Sequence, residues 1–263
     1  MRKVLFADLD NTLIYSYRHD IGAEKRSVEL YQGREISFMT QKTYELLSGL
    51  SERMLFVPVT TRSAEQYGRI HLGIGDIRYA LACNGGVLLA DGRQDKEWYR
   101  RSLQIVEESR EELGRAARYL EQEAGRMLDV RFIQELFVFT KCSRPQSVLQ
   151  GLKEELGLRF TDVFCNGEKV YAVPKKLNKG MAILRLQERI GATDAFAAGD
   201  SAFDIPMLQA AGLAAMPCGG IGGLSQGGHI YEMPGKAVFS EELLEFVLWH
   251  EKHGSAGGFF QNA

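Results

Sequence analysis

The sequence predicts an α/β fold: a Rossmann-like parallel-sheet core interrupted by an inserted α+β module. Three observations predict it. Five short runs, at residues 4–7, 54–59, 79–83, 195–198 and 213–216, are apolar throughout, the pattern of strands covered by helices on both faces. Amphipathic segments lie between several of these runs. From about residue 86 to residue 173 the order changes to a mixture of β segments and helices, which marks a module of another class set into the first.

The elements follow in order. Residues 27–38 alternate around Gln32-Gly33, the signature of a β-hairpin just after the first strand. Residues 40–50 read as a helix before the second strand. The insert leaves near Asn84-Gly85-Gly86 and returns near Pro174, at residues that punctuate local structure. Inside it, β segments are expected at 87–89 and 97–100. A long helix follows, with Leu103, Val106, Leu113, Ala117 and Leu120 on one stripe. Strands near 130–140, a helix near 146–156 and strands at 160–164 and 169–173 complete the insert. The core resumes with a helix at 179–190, carrying Ile183, Leu186 and Ile190 on one face and Asn178 as its N-cap. A helix at 204–211 has Pro206 near its start and Gly212 just past its end. The last helix, 240–250, has acids in its first turn. The Gly-rich run 218–228 does not match a nucleotide-binding fingerprint, since no strand leads directly into it and no clear helix follows; it reads as a loop. The tail after Gly254 is Gly-rich and reads as frayed.

Composition bounds the function. The 263 residues suffice for one large domain or two modest ones. A hydrophobic content of 45% with 25% charged residues is that of a soluble globular protein. A net charge of -2 shows no basic excess for nucleic acid. No apolar run approaches the roughly 18 residues of a membrane span. The N-terminal cations and short apolar run are interrupted by acids almost at once, unlike a secretory signal. Cys83, Cys142, Cys165 and Cys218 form no Cys-x-x-Cys pair and read as reduced thiols of a cytoplasmic protein.

Four polar clusters stand at expected strand ends. Asp8 and Asp10, in Asp8-Leu9-Asp10-Asn11-Thr12, follow the first strand. Side chains two apart on an extended chain point the same way, and ligands bind at the carboxyl ends of such strands. Two adjacent carboxylates repel, and a hard cation such as Mg²⁺ relieves the repulsion. The blander reading is a turn, since Asp and Asn favour turns. Thr60, Thr61 and Arg62 follow the second strand; a hydroxyl there suits a phosphate oxygen, or equally caps the next helix. Lys179 opens a helix, where the macrodipole disfavours a cation, although most lysines are solvated surface residues. Asp200 lies at a fourth strand tip with Asp204 one turn later, which is also the pattern of an N-cap with a first-turn acid.

Each bland reading is respectable alone, but the order Asp pair, Thr, Lys, Asp pair resembles the four motifs of the haloacid dehalogenase superfamily of aspartate-nucleophile phosphatases. The motifs match Asp8/Asp10, Thr60, Lys179 and Asp200/Asp204, and the resemblance covers nearly the whole chain. Ile36-Ser37 followed by residues 43–50, the Asn84-Gly85-Gly86 segment, residues 170–179 and residues 199–208 look like the branch with a type IIB cap, which includes Cof-type and sucrose-phosphate-phosphatase-like enzymes. That resemblance implies a catalytic core of residues 1–85 and 174–263 and a cap of residues 86–173. Two positions depart from the pattern: Thr61 stands where Gly is common, and Phe203 where Asn is common, which removes a polar group near the metal.

The resemblance further implies a Mg²⁺-dependent phosphatase. Asp8 is the nucleophile, Asp10 the general acid and base, and Lys179 the charge that lets a carboxylate approach a phosphate. Mg²⁺ is held by the Asp8 carboxylate, the Asp10 backbone carbonyl and Asp200, with Asp204 in support. Leu9 (through nearby backbone amides), Thr60, Thr61, Arg62 and Asn84 join Lys179 in binding substrate or phosphate. The partner is a small phosphorylated metabolite, with a sugar phosphate as the leading expectation, and neither nucleic acid nor membrane. Cap residues Arg131, Lys141, Arg144 and Lys169 are candidates for substrate contact, against the commoner reading of a solvated surface. A phosphomutase of the same superfamily stays open, as does a non-catalytic module of this fold. A dehalogenase is disfavoured by Asp10, which those relatives lack.

Overall fold

The computed structural model describes residues 2–224, 227–254 and 259–262, excepting the side chains of residues 2, 261 and 262. By contact the chain divides into two compact units, Met1–Arg93 with Lys179–Ala263, and Gln94–Asn178. The junctions read from the sequence were 86 and 173. At the first junction the contact boundary lies later, after Arg93, because Val87–Ala90 pairs antiparallel with Tyr79–Ala82 and so stays with the first unit; at the second it falls after Asn178.

The first unit is built on a five-stranded sheet in the order Ile230–Glu232, Leu213–Met216, Ala192–Ala198, Arg2–Ala7, Leu55–Pro58. Every neighbouring pair is parallel. The central strand Arg2–Ala7 is apolar from Val4 to Ala7 because both its faces are covered, and all four residues are fully buried. On one side lie Leu47 and Leu50 of the helix Gln41–Ser51 and Leu243, Leu244 and Phe246 of the helix Phe239–His253. Thr40 caps the first of these helices, its hydroxyl accepting from the amide of Thr43 at 3.0 Å.

The expected hairpin is present as Lys25–Tyr31 and Arg34–Thr40. Gln32 and Gly33 both have positive φ, at 51° and 75°, as a type I′ turn requires. The pairing shifts register on both sides of Glu29. Val28 and Glu29 are consecutive and both buried, which breaks the period-2 alternation as a bulge does.

The second unit packs the helices Arg110–Gln122 and Pro145–Leu156 on an antiparallel sheet in the order Thr161–Asn166, Lys169–Pro174, Phe137–Lys141, Arg131–Ile133. Leu113, Leu120, Val138, Leu152, Val170 and Ala172 form its core. Two expectations are corrected here. Residues 97–100 are not a strand but part of the helix Lys96–Val106, because the Asp95 carboxylate accepts from the Trp98 amide at 2.8 Å and starts a helix there. The single long helix is broken by a 3₁₀ turn at Glu107–Ser109; Val106, Leu113 and Leu120 of the expected stripe are buried, and Ala116 is fully buried where Ala117 is partly so.

In the core the helices at Lys179–Ile190 and Ile205–Ala210 stand where expected. Asn178 donates its side-chain amide to the Lys175 carbonyl at 2.9 Å. Beyond Gly254 the expected fraying concerns residues 255–258 and 263, which lie outside the described residues. Phe259–Asn262 forms a helical turn whose Phe259 meets Phe246 edge-on at 5.3 Å, while Phe260 stacks on Tyr231 at 5.6 Å. Aromatic contacts hold that turn against the core. The Gly-rich run is a loop at its described residues; Ser225 and Gln226 lie outside them. Among the described residues there is no helix long and apolar enough to cross a membrane, and no disulfide joins any of the four cysteines.

Candidate active site

The polar clusters converge at the carboxyl edge of the parallel sheet. Asp8 directly follows the central strand, its amide donating to the Ala198 carbonyl of the neighbouring strand at 2.9 Å. That bond continues the ladder one residue past the strand and fixes where the carboxylate starts. The Leu9 carbonyl then accepts from the amides of Thr12, Leu13 and Ile14, which folds residues 9–14 into a tight turn.

Lys179 supplies the electrostatic centre. It is the first residue of its helix, yet it is 1% exposed. Its Nζ lies 2.6 Å from Asp8 Oδ1 and 2.6 Å from Asp204 Oδ1. Burial alone would push the ammonium down, but the two carboxylates outweigh it and hold Lys179 above its ordinary range. Asp204 turns its second oxygen back on its own loop, accepting from the amides of Asp200 at 3.2 Å and Ser201 at 3.0 Å and from the Ser201 hydroxyl at 2.8 Å. Gly199 makes this possible, since a Cβ there would overlap the Asp204 side chain. Thr12 donates to Asp200 Oδ1 at 3.4 Å.

The carboxylates of Asp8, Asp200 and Asp204 each offer an oxygen within 4.8 Å of the others. Burial chiefly, with the neighbouring acids, raises Asp8 well above the usual carboxylate range against the pull of Lys179. Burial and Asp204 together push Asp200 up to about 6. One ammonium for three carboxylates, with Asp8 and Asp204 buried and Asp200 half-buried, leaves negative charge that a hard cation with oxygen ligands would neutralise.

Asp10 faces elsewhere. Its half-exposed carboxylate is gripped on both oxygens by Arg62, from Nε and Nη2, each at 2.7 Å. Arg62 Nη1 donates to Glu29 Oε2 at 2.9 Å. Thr60 is buried; its hydroxyl accepts from the Arg62 amide at 3.1 Å, and its amide donates to the Leu81 carbonyl at 2.8 Å. The cap of the following helix is Ser63, which forms a reciprocal pair with Gln66, so Thr60 is not engaged in capping. Asn84 is buried with a left-handed backbone, φ 57°, and its amide donates to the Thr60 carbonyl at 3.0 Å. Thr61 is half-buried and Leu9 fully buried. Arg131, Lys141, Arg144 and Lys169 all lie in the second unit. Arg131, Arg144 and Lys169 are exposed, and Lys141 is 3.5 Å from Glu168.

Sequence reasoning did not single out Glu29, Arg69, Thr12 or Ser201. For Thr12 and Ser201 the signal was adjacency to a motif acid. For Glu29 there was none in the alternation, because the bulge turns it inward.

Fold and site together present a parallel sheet with an acid–lysine cluster at its carboxyl edge and an α+β unit inserted in the chain. The family model for haloacid dehalogenase-like hydrolases matches residues 114–216, which include Lys179, Asp200 and Asp204. No curated protein matches the sequence. Among solved structures, the sucrose-phosphatase from Synechocystis, in complex with sucrose and phosphate, is similar at a TM-score of 0.68 and 17% identity, over 95% of this chain and 99% of that one. A haloacid dehalogenase-like hydrolase protein from Bacillus subtilis is similar at 0.54 and 16%, over 96% and 92%. The IMP-nucleotidase of Plasmodium falciparum is similar at 0.54 and 15%, over 78% of this chain and 62% of that one. With the family match, these bear out the superfamily that the motifs resemble, with the fold of its Cof-type and sucrose-phosphatase-like branch.

Proposed function

We propose that the protein is a Mg²⁺-dependent phosphatase that hydrolyses a small phosphorylated metabolite, a sugar phosphate by preference, through an aspartyl-phosphate on Asp8. The observation that carries this reading is Asp8 itself, a carboxylate at the end of the central strand, 2.6 Å from a buried ammonium and beside two further acids. Asp8, Asp200 and Asp204 would hold the cation, with the Asp10 backbone carbonyl as a further ligand. Bound there, Mg²⁺ would offset the charge on the phosphoryl oxygens and lower the repulsion between phosphate and carboxylate.

The chain's own residues perform the rest. An Asp8 oxygen attacks phosphorus, the bond from phosphorus to the ester oxygen breaks, and the leaving oxygen takes a proton from the Asp10 carboxyl. Asp10, now a carboxylate, accepts a proton from the water that attacks the aspartyl-phosphate. The bond between phosphorus and Asp8 breaks, returning Asp8 and releasing phosphate. Lys179 pulls Asp8 toward its ionised form and aims it, and Thr60 and Asn84 would hold phosphoryl oxygens. Arg62 spends its guanidinium on Asp10 and Glu29, so a contact of Arg62 with substrate would require it to leave one of them.

The sugar-phosphate preference draws on the similarity in fold to a sucrose-phosphatase; the similarity to an IMP-nucleotidase widens the class to nucleotides. A panel of phosphorylated metabolites assayed with Mg²⁺ for phosphate release tests the reading. Isomerised product without phosphate would identify a phosphomutase, and no turnover of any ester would refute the proposal.

A further inference from the structure

Glu29 is a buried carboxylate with no place in the mechanism above. Its side chain is 0% exposed. Three groups hold it: Arg62 Nη1 at 2.9 Å, Arg69 Nε at 3.1 Å and the Ser37 hydroxyl at 2.6 Å. A buried carboxylate is tolerated only when paired and hydrogen-bonded in this way. It sits in the hairpin at the point where the register shifts, and that shift is what turns it inward.

The arrangement has a direction. Asp10 has a side chain 47% exposed, and among the described residues its two oxygens are held through the planar fork of Arg62. That fork is fixed at its other end by Glu29, which is in turn fixed by Ser37 and Arg69. A guanidinium bound on one edge alone would swing with its exposed partner, whereas one bound on both sides presents Asp10 with a set orientation.

We infer that Glu29 is a positioning residue for the acid–base group, acting through Arg62 to aim the Asp10 carboxyl. This rests on the phosphatase reading above. The hairpin Lys25–Thr40 then has a task within catalysis, although none of its residues touches the reacting atoms. General acid catalysis matters most for poor leaving groups, so a misaimed Asp10 shows itself selectively.

The experiment is a series of substituted phenyl phosphates whose phenols span a wide range of acidity, assayed with wild type, Glu29→Gln, Arg69→Gln and Asp10→Asn. Glu29→Gln keeps the size of the side chain but removes the charge that anchors Arg62. It should lower kcat/KM, which reports the transfer to Asp8, roughly 10-fold on phenyl phosphate while changing kcat/KM on 2,4-dinitrophenyl phosphate less than about 2-fold; the losses are compared in kcat/KM, because breakdown of the aspartyl-phosphate is common to all esters. Arg69→Gln loosens the same anchor from its far side and should show the same selectivity, more weakly; it serves if Glu29→Gln does not fold. Equal loss on both esters, or no loss on either, overturns the inference, since a merely structural Glu29 would not discriminate leaving groups. A crystal structure of Glu29→Gln tests the geometry apart from turnover: Arg62 should release at least one Asp10 oxygen, and retention of both bonds also overturns it. Wild type inert on every ester would instead refute the phosphatase reading, a result distinct from either.

Discussion

A methyl group on Gly180 would overlap the carbonyl oxygen of Pro206 and lie 2.6 Å from its carbonyl carbon. The two helices that carry Lys179 and follow Asp204 therefore meet backbone to backbone, and the close approach is what lets one lysine reach two acids. The expected outcome of Gly180→Ala is a loss of about 1–3 kcal/mol in urea or thermal unfolding, since backbone cannot move aside as a flexible side chain can. Activity should fall further than stability alone explains. Gly49→Ala is the control: it lies in a helix with open space around it and should gain about 0.5–1 kcal/mol. A Gly180→Ala protein as stable as wild type would contradict the packing.

Asp8→Asn should keep the fold and lose essentially all turnover, because an amide does not attack phosphorus. Lys179→Met should be the more destabilising change, by about 3–5 kcal/mol, since it leaves Asp8 and Asp204 buried without their shared cation. Chemical denaturation of the two variants side by side checks the ranking, and the reverse order would show that the ion triad is not what holds this edge together.

Asp10→Asn should lower turnover of esters with poor leaving groups by about 10²–10⁴-fold. Near-normal rates on such esters would remove Asp10 from its assigned role.

Metal binding should depend on pH with a definite sign. Asp200 is raised to about 6 by burial and by Asp204. With no cation bound, the native state keeps a proton that the unfolded chain has released, so the contribution to stability falls as pH rises from about 4 to about 6. A cation needs the carboxylates, so apparent Mg²⁺ affinity should climb as pH rises through about 6, and Asp8, which burial also raises, extends the climb beyond it. Thermal shifts with MgCl₂ across pH 5–8 measure this, and calorimetry in buffers of different ionisation enthalpy counts the protons released. Affinity independent of pH would exclude a displaced proton. Exhaustive chelation should abolish turnover, and Mg²⁺ should restore it.

Much of the architecture was legible because it is written in short-range patterns. The apolar runs at 4–7 and 213–216 announced buried strands, and Gln32-Gly33 announced the hairpin. The motif acids and Lys179 stood out because carboxylates after apolar strands, and a lysine opening a helix, are locally costly. What escaped was set by longer-range geometry. Asp95 capping the Trp98 amide overrode the β appearance of residues 97–100. The turn at Glu107–Ser109 divided one expected helix into two, although Val106, Leu113 and Leu120 of the expected stripe are buried on either side of it. Glu29 was invisible since only the bulge opposite Ser37 decides which way it points.

The central strand Arg2–Ala7 lies between Leu55–Pro58 and Ala192–Ala198, which has a consequence for synthesis on the ribosome. Arg2–Ala7 is made before both of its neighbours, and one of its two edges waits for a partner about 190 residues further along the chain. At about 5–20 residues per second that wait lasts roughly 10–40 s. The unit Gln94–Asn178 is contiguous and emerges complete during the interval. Pulse proteolysis of nascent chains should find it protected first, with Asp8 and its strand guarded only after residue 198 has cleared the exit tunnel; simultaneous protection of both would show that the bare edge finds a temporary cover.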